Sequence, residues 1–130
     1  MKRSKFLTQL SRDHHLALSL GKLCIRAAES GGKESIETVC EKLNQAFHTE
    51  LKPHFSIEEQ DLFPRLQLAG ESELVKRALN DHAALREMIT TINIEKNPAR
   101  IAAFGTLLIA HVRFEERELF NVAEKVLHLD

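Results

Sequence analysis

A chain of 130 residues, 43% hydrophobic and 28% charged, has the makeup of one globular domain over residues 1–130, able to bury roughly two-thirds of its unfolded surface. Its formal net charge of −1 gives no global pull toward nucleic acid or an anionic membrane surface, and no apolar run approaches the ~20 residues of a membrane span. Tyrosine and tryptophan are absent, which excludes tyrosyl-radical chemistry and phenolate ligation, whereas histidine occurs seven times.

The first segment opens MKRSKFLTQLSRDHH, basic but without an apolar stretch, so no signal peptide is expected. Its inward positions are read as Leu7, Leu10, His14, Leu18, Gly21, Ile25 and Ala28, stepping by threes and fours as a helix face requires. Ser30-Gly31-Gly32 ends it. The second segment carries Ile36, Val39, Leu43, Phe47, Leu51, His54, Glu58 and Leu62 on one stripe and stops at Leu68-Ala69-Gly70. Pro53 and Pro64 fall inside it; the stripe keeps its phase past Pro53, so the helix is expected to continue there with a bend. The third, with Ser72 as its candidate cap, presents Val75, Ala78, His82, Leu85, Ile89 and Ile92. The fourth opens at Asn97-Pro98, a capping side chain before a proline in the first helical position, and presents Ile101, Phe104, Leu108, His111, Glu115, Leu119, Val122 and Val126. Four amphipathic helices with short connections predict an all-α fold, an up-down-up-down four-helix bundle. Cys24 and Cys40 form neither a C-x-x-C motif nor a disulfide framework and suit a reducing cytoplasm, so a cytoplasmic location is expected.

Two stretches repeat. HFSIEEQDLF from His54 and HVRFEERELF from His111 share H-x-x-x-E-E-x-x-L-F, with 47 residues between them. Asp13-His14 opens one hairpin and Asp81-His82 the other, so each half supplies D-H on one helix and H-x-x-x-E on the next. The stripes choose His14 over His15, Glu58 over Glu59 and Glu115 over Glu116, because adjacent residues on a helix point ~100° apart. Reflecting the chain about its turns puts Glu58 and His82 at one depth, and His82 and His111 within one residue. His14 and His54 fit less well, with a mismatch of roughly 7–8 Å at ~1.5 Å per residue.

Any single H-x-x-x-E is weak, since fifteen glutamates and seven histidines produce nearly one such pair by chance. A lone histidine on an apolar stripe is more often a hydrogen-bonded core residue than a ligand. The conjunction carries the weight: all four helices bring a histidine to the inward face and two bring a glutamate. Buried ionised carboxylates must be paired or bind metal, and no lysine or arginine shares the stripe beside them. Mixed imidazole and carboxylate donors suit iron, manganese or zinc, and six donors suffice for a dinuclear site. His15, His48 and His128 are expected off the site. Glu59 and Glu116 are expected to pair with arginines such as Arg113 on outer faces. Asp13 and Asp81 are read either as orienting an imidazole or as surface residues. Phe47, Phe55, Phe104 and Phe114 are candidates for an apolar wall around the site or for plain core packing.

RDHH, HFSIEEQDLFP, DHAAL and HVRFEERELF together resemble the four metal-bearing segments of the hemerythrin-like (HHE cation-binding) family, widespread in bacteria, over essentially the whole chain. The resemblance implies a four-helix bundle holding two non-haem iron ions, bridged by oxo or hydroxo and carboxylate groups, that binds O2, NO or related small molecules. Carried over, the metal ligands are His14, His54, Glu58, His82, His111 and Glu115, with the two glutamates bridging. Oxygen-carrying hemerythrins have a further histidine one turn after the third-helix ligand; this chain has Arg86 there. Their last carboxylate follows its histidine by five residues, which keeps Glu116 open as an alternative to Glu115. Four histidines in place of five favour reactivity or sensing over reversible carriage. The iron–sulfur repair branch carries an extra cysteine-bearing N-terminal region that this sequence lacks. The competing classes are a di-iron oxidase, peroxidase or iron-handling protein, and a structural or zinc-bound bundle mediating protein contacts.

Overall fold

In the computed structural model, which describes residues 3–129, four helices run up, down, up and down: α1 (Lys5–Ser30), α2 (33–68), α3 (Ser72–Glu95) and α4 (98–126). Among these residues there is no strand, and no helix is long and apolar enough to cross a membrane. The turns follow the local chemistry. Gly31 closes α1 in the left-handed region at φ 67°, and its N–H donates to the carbonyl of Ala27. Asn97 caps α4 by accepting from Arg100 N–H at 3.2 Å, with Pro98 in the first turn. Ser72 departs from expectation: it is the first helical residue of α3, and no side chain caps that end. The cap of α1 is Ser4, whose hydroxyl accepts from Leu7 N–H at 3.2 Å.

Helix α2 continues through both prolines, and it does so with π turns, Phe47–Leu51 and Glu58–Leu62, each closed by an N–H that reaches back five residues. Pro53 and Pro64 stand second in the α-helical segments that follow. A third π turn, Glu115–Leu119 in α4, has no proline after it, so proline is not the common cause. What 58–62 and 115–119 share is the E-E-x-x-L of the repeat, each turn opening at the inward glutamate. Single π turns inserted in α-helices are frequent at functional sites.

The buried stripe departs from expectation in two places. Beyond Glu115 the core continues through Leu119, Phe120 and Ala123, while Val122 is half-buried and Val126 exposed, against the expected stripe. In α1 the buried set beyond His14 is Ala17, Leu20, Gly21, Cys24 and Ala27; Leu18, Ile25 and Ala28 are only partly covered. There α1 lies against α4 so closely that a Cβ on Gly105 would stand 2.5 Å from the Gly21 carbonyl oxygen. The stripes of α2 and α3 are buried as expected.

Two apolar clusters form the core. One gathers Leu20, Cys24, Leu43, Phe55, Leu85, Phe104 and their neighbours; the other gathers Leu7, Leu10, Leu62, Phe63, Val75 and Phe120. Both cysteines are free and buried in the first, and burial pushes the Cys24 thiol up to about 12. Along every helix the polar inward residues fall between the two clusters, as one layer across the bundle.

Candidate metal centre

That layer consists of His14, His54, Glu58, His82, His111 and Glu115, each no more than 4% exposed. It resolves into two overlapping groups of four donors: His14, His54, Glu58 and Glu115, and Glu58, His82, His111 and Glu115. Within each group the candidate atoms all lie within 4.8 Å of one another. The two glutamates belong to both groups. His54 Nε2 is 3.5 Å from Glu58 Oε2, and His111 Nε2 is 3.5 Å from Glu115 Oε1, so both H-x-x-x-E pairs meet across one helical turn. Between helices, His14 Nε2 is 2.9 Å from Glu115 Oε1 and His82 Nε2 is 3.1 Å from Glu58 Oε1. The depth mismatch expected for His14 is not seen: its ring lies 5.0 Å from that of His54, centroid to centroid. The π turn at Phe47–Leu51 spends one residue of α2 on winding instead of rise, which takes up part of the expected offset.

Crowding is not pairing. Six of these buried atoms make no hydrogen bond: Nε2 of His54, His82 and His111, both carboxylate oxygens of Glu58, and Oε2 of Glu115. Buried polar atoms left without partners are rare and costly. Here they are atoms of the types that bind first-row metals, gathered in two groups whose members lie within 4.8 Å of one another. The donor set therefore fits two metal ions.

Every histidine of the layer is held from behind at Nδ1 by a carboxylate. Asp13 accepts from His54 at 2.9 Å and Asp81 from His111 at 2.9 Å. Glu59 accepts from His82 at 2.6 Å and Glu116 from His14 at 2.6 Å. With Nδ1 as donor, each ring turns Nε2 to the centre, the arrangement that orients metal-binding imidazoles. The four contacts obey the approximate two-fold of the repeat: each D-H aspartate serves the next helix of its own hairpin, and each second glutamate serves the D-H histidine of the other. Asp13 and Asp81 thus orient imidazoles. Glu59 and Glu116 do pair with arginines, Arg86 and Arg3 in place of Arg113, but they also bind the rings.

Charge in the metal-free layer follows from these contacts. Burial lowers the affinity of His54 for its proton, but the carboxylates of Glu115 and Glu58 close to its ring outweigh it and raise the pKa to about 11. His111 is likewise depressed by burial and then raised to about 10 by the charge of Glu115 and its bond to Asp81. His14 is raised in the same way by Glu115 and Glu116. Burial alone would push Glu115 up; the charge of His111, the bond from His14 and the nearby ring of His54 hold it well below the usual carboxylate range.

Glu115 is wholly buried in the layer, and Glu116 lies outside it on His14. His15, His48 and His128 are exposed. Arg86, one turn after His82, turns to Glu59 with two contacts of 2.8 and 3.1 Å. The four phenylalanines divide between the two expected roles, wall and core packing. Phe55 stacks on His82 at 3.9 Å between centroids, and Phe47 meets Phe55 edge-on. Phe104 lies in the apolar core and Phe114 packs under Arg77, so neither faces a ring of the layer. Their place is taken by Phe63, 5.5 Å from His82, and Phe120, stacked 5.3 Å from His14. These are the final F of each repeat, a signal that was available in the motif.

The family model of the hemerythrin HHE cation-binding domain matches residues 5–123. A comparison with curated proteins and with solved structures finds no match.

Proposed function

The chain belongs to the hemerythrin HHE cation-binding family, and from that premise we propose that its core holds two iron ions and binds or senses O2 or NO. The observation that carries this reading is the sharing of Glu58 and Glu115 by both donor groups, because two carboxylates common to two sites are the means of bridging a metal pair. Each ion would have two imidazoles and the two bridging glutamates: His14 and His54 for one, His82 and His111 for the other. Iron held by four protein donors supplies redox activity and open coordination positions at which a diatomic molecule can bind. The chain's own residues do the rest. Asp13, Asp81, Glu59 and Glu116 fix the tautomer and aim of the rings, and Phe55, Phe63 and Phe120 keep bulk water from them. With Arg86 engaged by Glu59, no fifth histidine joins the layer, which favours reactivity or sensing over reversible carriage.

The test is to purify the protein under iron supply, count metal per chain, and record spectra reduced, oxidised, and after O2 or NO addition. Two irons per chain and a spectrum altered by the gas are expected; without tyrosine or tryptophan, bands of a ferric pair stand clear of protein absorbance. Zinc alone, or no metal, sinks the reading. A spectrum that reverts on deoxygenation indicates carriage, and irreversible oxidation indicates sensing or turnover. His82→Ala should cut the iron content and His48→Ala should not.

A further inference from the structure

The two outer glutamates share a feature that the two aspartates lack. Arg86, four residues after His82, donates to both carboxylate oxygens of Glu59 at 2.8 and 3.1 Å. Its guanidinium also lies 5.6 Å over the ring of Phe55, which stacks on His82. Arg3, ahead of α1, donates to the Glu116 carbonyl oxygen at 2.7 Å, approaches its Oε1 at 3.4 Å, and binds Asn121 Oδ1 at 2.9 Å. That guanidinium lies 5.5 Å over Phe120, which stacks on His14. Each arginine therefore grips both groups that clamp one histidine: a carboxylate on its Nδ1 and a phenyl ring on its face. Ser11 adds a 2.8 Å bond to Glu116. Among the described residues no arginine backs Asp13 or Asp81.

The two clamps come from unrelated places in the sequence. Arg3 precedes His14 by eleven residues and Arg86 follows His82 by four, so the motif repeat does not generate them. They converge on a similar hold of glutamate and phenyl ring in both halves of the layer, through a bidentate fork on the carboxylate for Arg86 and mainly through the Glu116 backbone carbonyl for Arg3. A guanidinium fork bound to a carboxylate fixes its plane more firmly than a point charge does.

We propose that Arg86 and Arg3 are positioning residues, one for each metal position, that fix His82 and His14 through the Glu59–Phe55 and Glu116–Phe120 pairs. The inference rests on the metal-binding reading above. Arg86 then occupies the register of an additional histidine but contributes orientation in place of a ligand.

The full-length chain is titrated anaerobically with Fe2+ against a competing chelator, with helical circular dichroism as the check on folding. Arg86→Met should weaken one of two binding steps by about tenfold and spare the other; Arg3→Met should weaken the other by a similar factor. In a His14→Ala background, where the His82–His111 group remains, Arg86→Met should still act and Arg3→Met should not. In a Glu59→Gln background, Arg86→Met should add less than about twofold, because both changes remove one linkage. Arg86→Lys should restore part of the affinity, and the visible bands of Co2+ bound to the chain should shift in Arg86→Met and move back in Arg86→Lys. Two Fe2+ ions bound with unaltered affinity in both methionine variants, or a full effect of Arg86→Met without Glu59, overturns the inference alone. No binding by the unsubstituted chain overturns it together with the metal reading.

Discussion

Glu116 accepts a 2.6 Å hydrogen bond from Nδ1 of His14, a residue 102 positions earlier. Glu59 holds His82 in the same way at 2.6 Å. Each hairpin of the bundle thus completes the orientation of a histidine in the other. The aspartates work differently, Asp13 holding His54 and Asp81 holding His111 within their own hairpins. The consequence is a layer in which no ring is oriented by its own helix alone.

Removing one of these carboxylates should loosen a ligand without unfolding the bundle. Asp81→Ala and Glu116→Ala are each expected to lower metal affinity by about 10–100-fold, with helical circular dichroism retained. Chelator competition measures it. Unchanged affinity in both would mean that packing alone aims the rings.

Metal uptake should release protons. His54 and His111 have pKa values raised to about 11 and about 10 in the metal-free layer, so both carry protons at neutral pH. A metal needs the Nε2 lone pair, and binding therefore expels them. Apparent affinity should rise with pH, by about tenfold per unit for each proton released. For the metal-free protein the sign runs the other way. Raised histidine pKa values stabilise the fold fully below the ordinary value of 6.5, and that contribution is lost progressively as pH rises toward about 11. Thermal melts in chelator across that range, together with proton counting in weak buffer, check both; proton uptake on binding would contradict the charge state described above.

Gly105→Ala should destabilise the bundle even though alanine is the better helix former. The added Cβ would meet the Gly21 carbonyl oxygen at 2.5 Å and Cys24 Cβ at 3.0 Å, and backbone cannot yield as a side-chain tip can. Overpacking typically costs about 1–3 kcal/mol, against a propensity gain of about 1. Urea unfolding should show a net loss; a gain would mean that α1 and α4 separate at little cost.

Phe55→Ala should cost about 3–5 kcal/mol by opening a cavity beneath His82. The ring is 1% exposed and lies between His82 and the apolar cluster. The same measurement on Phe114→Ala separates the two roles: stability should fall there too, but metal affinity should fall only for Phe55→Ala.

Much of the bundle is legible in residue spacing. Val75, Ala78, His82, Leu85, Ile89 and Ile92 are the buried residues of α3, as the step of three and four requires. The same rule selects His14 over His15 and Glu58 over Glu59 as the inward members. It fails beyond His14 in α1 and beyond Leu119 in α4. The π turn Glu115–Leu119 moves burial to Phe120 and Ala123 and leaves Val126 exposed, and nothing in the local sequence marks that turn except its recurrence at Glu58–Leu62.

By itself, then, the sequence determined which polar side chains enter the core, since helical periodicity is a local property written into each segment. The partners of the flanking carboxylates were decided only by the tertiary structure. Asp13, Glu59, Asp81 and Glu116 stand one residue off the stripe, about 100° round the helix, where a side chain leans toward whichever helix lies alongside. Adjacency of helices depends on packing, on the close approach at Gly21 and Gly105, and on the winding of the π turns. That is why Glu116 could be numbered as an outer charge from its phase, yet its hold on His14 emerged only once α1 and α4 were packed side by side.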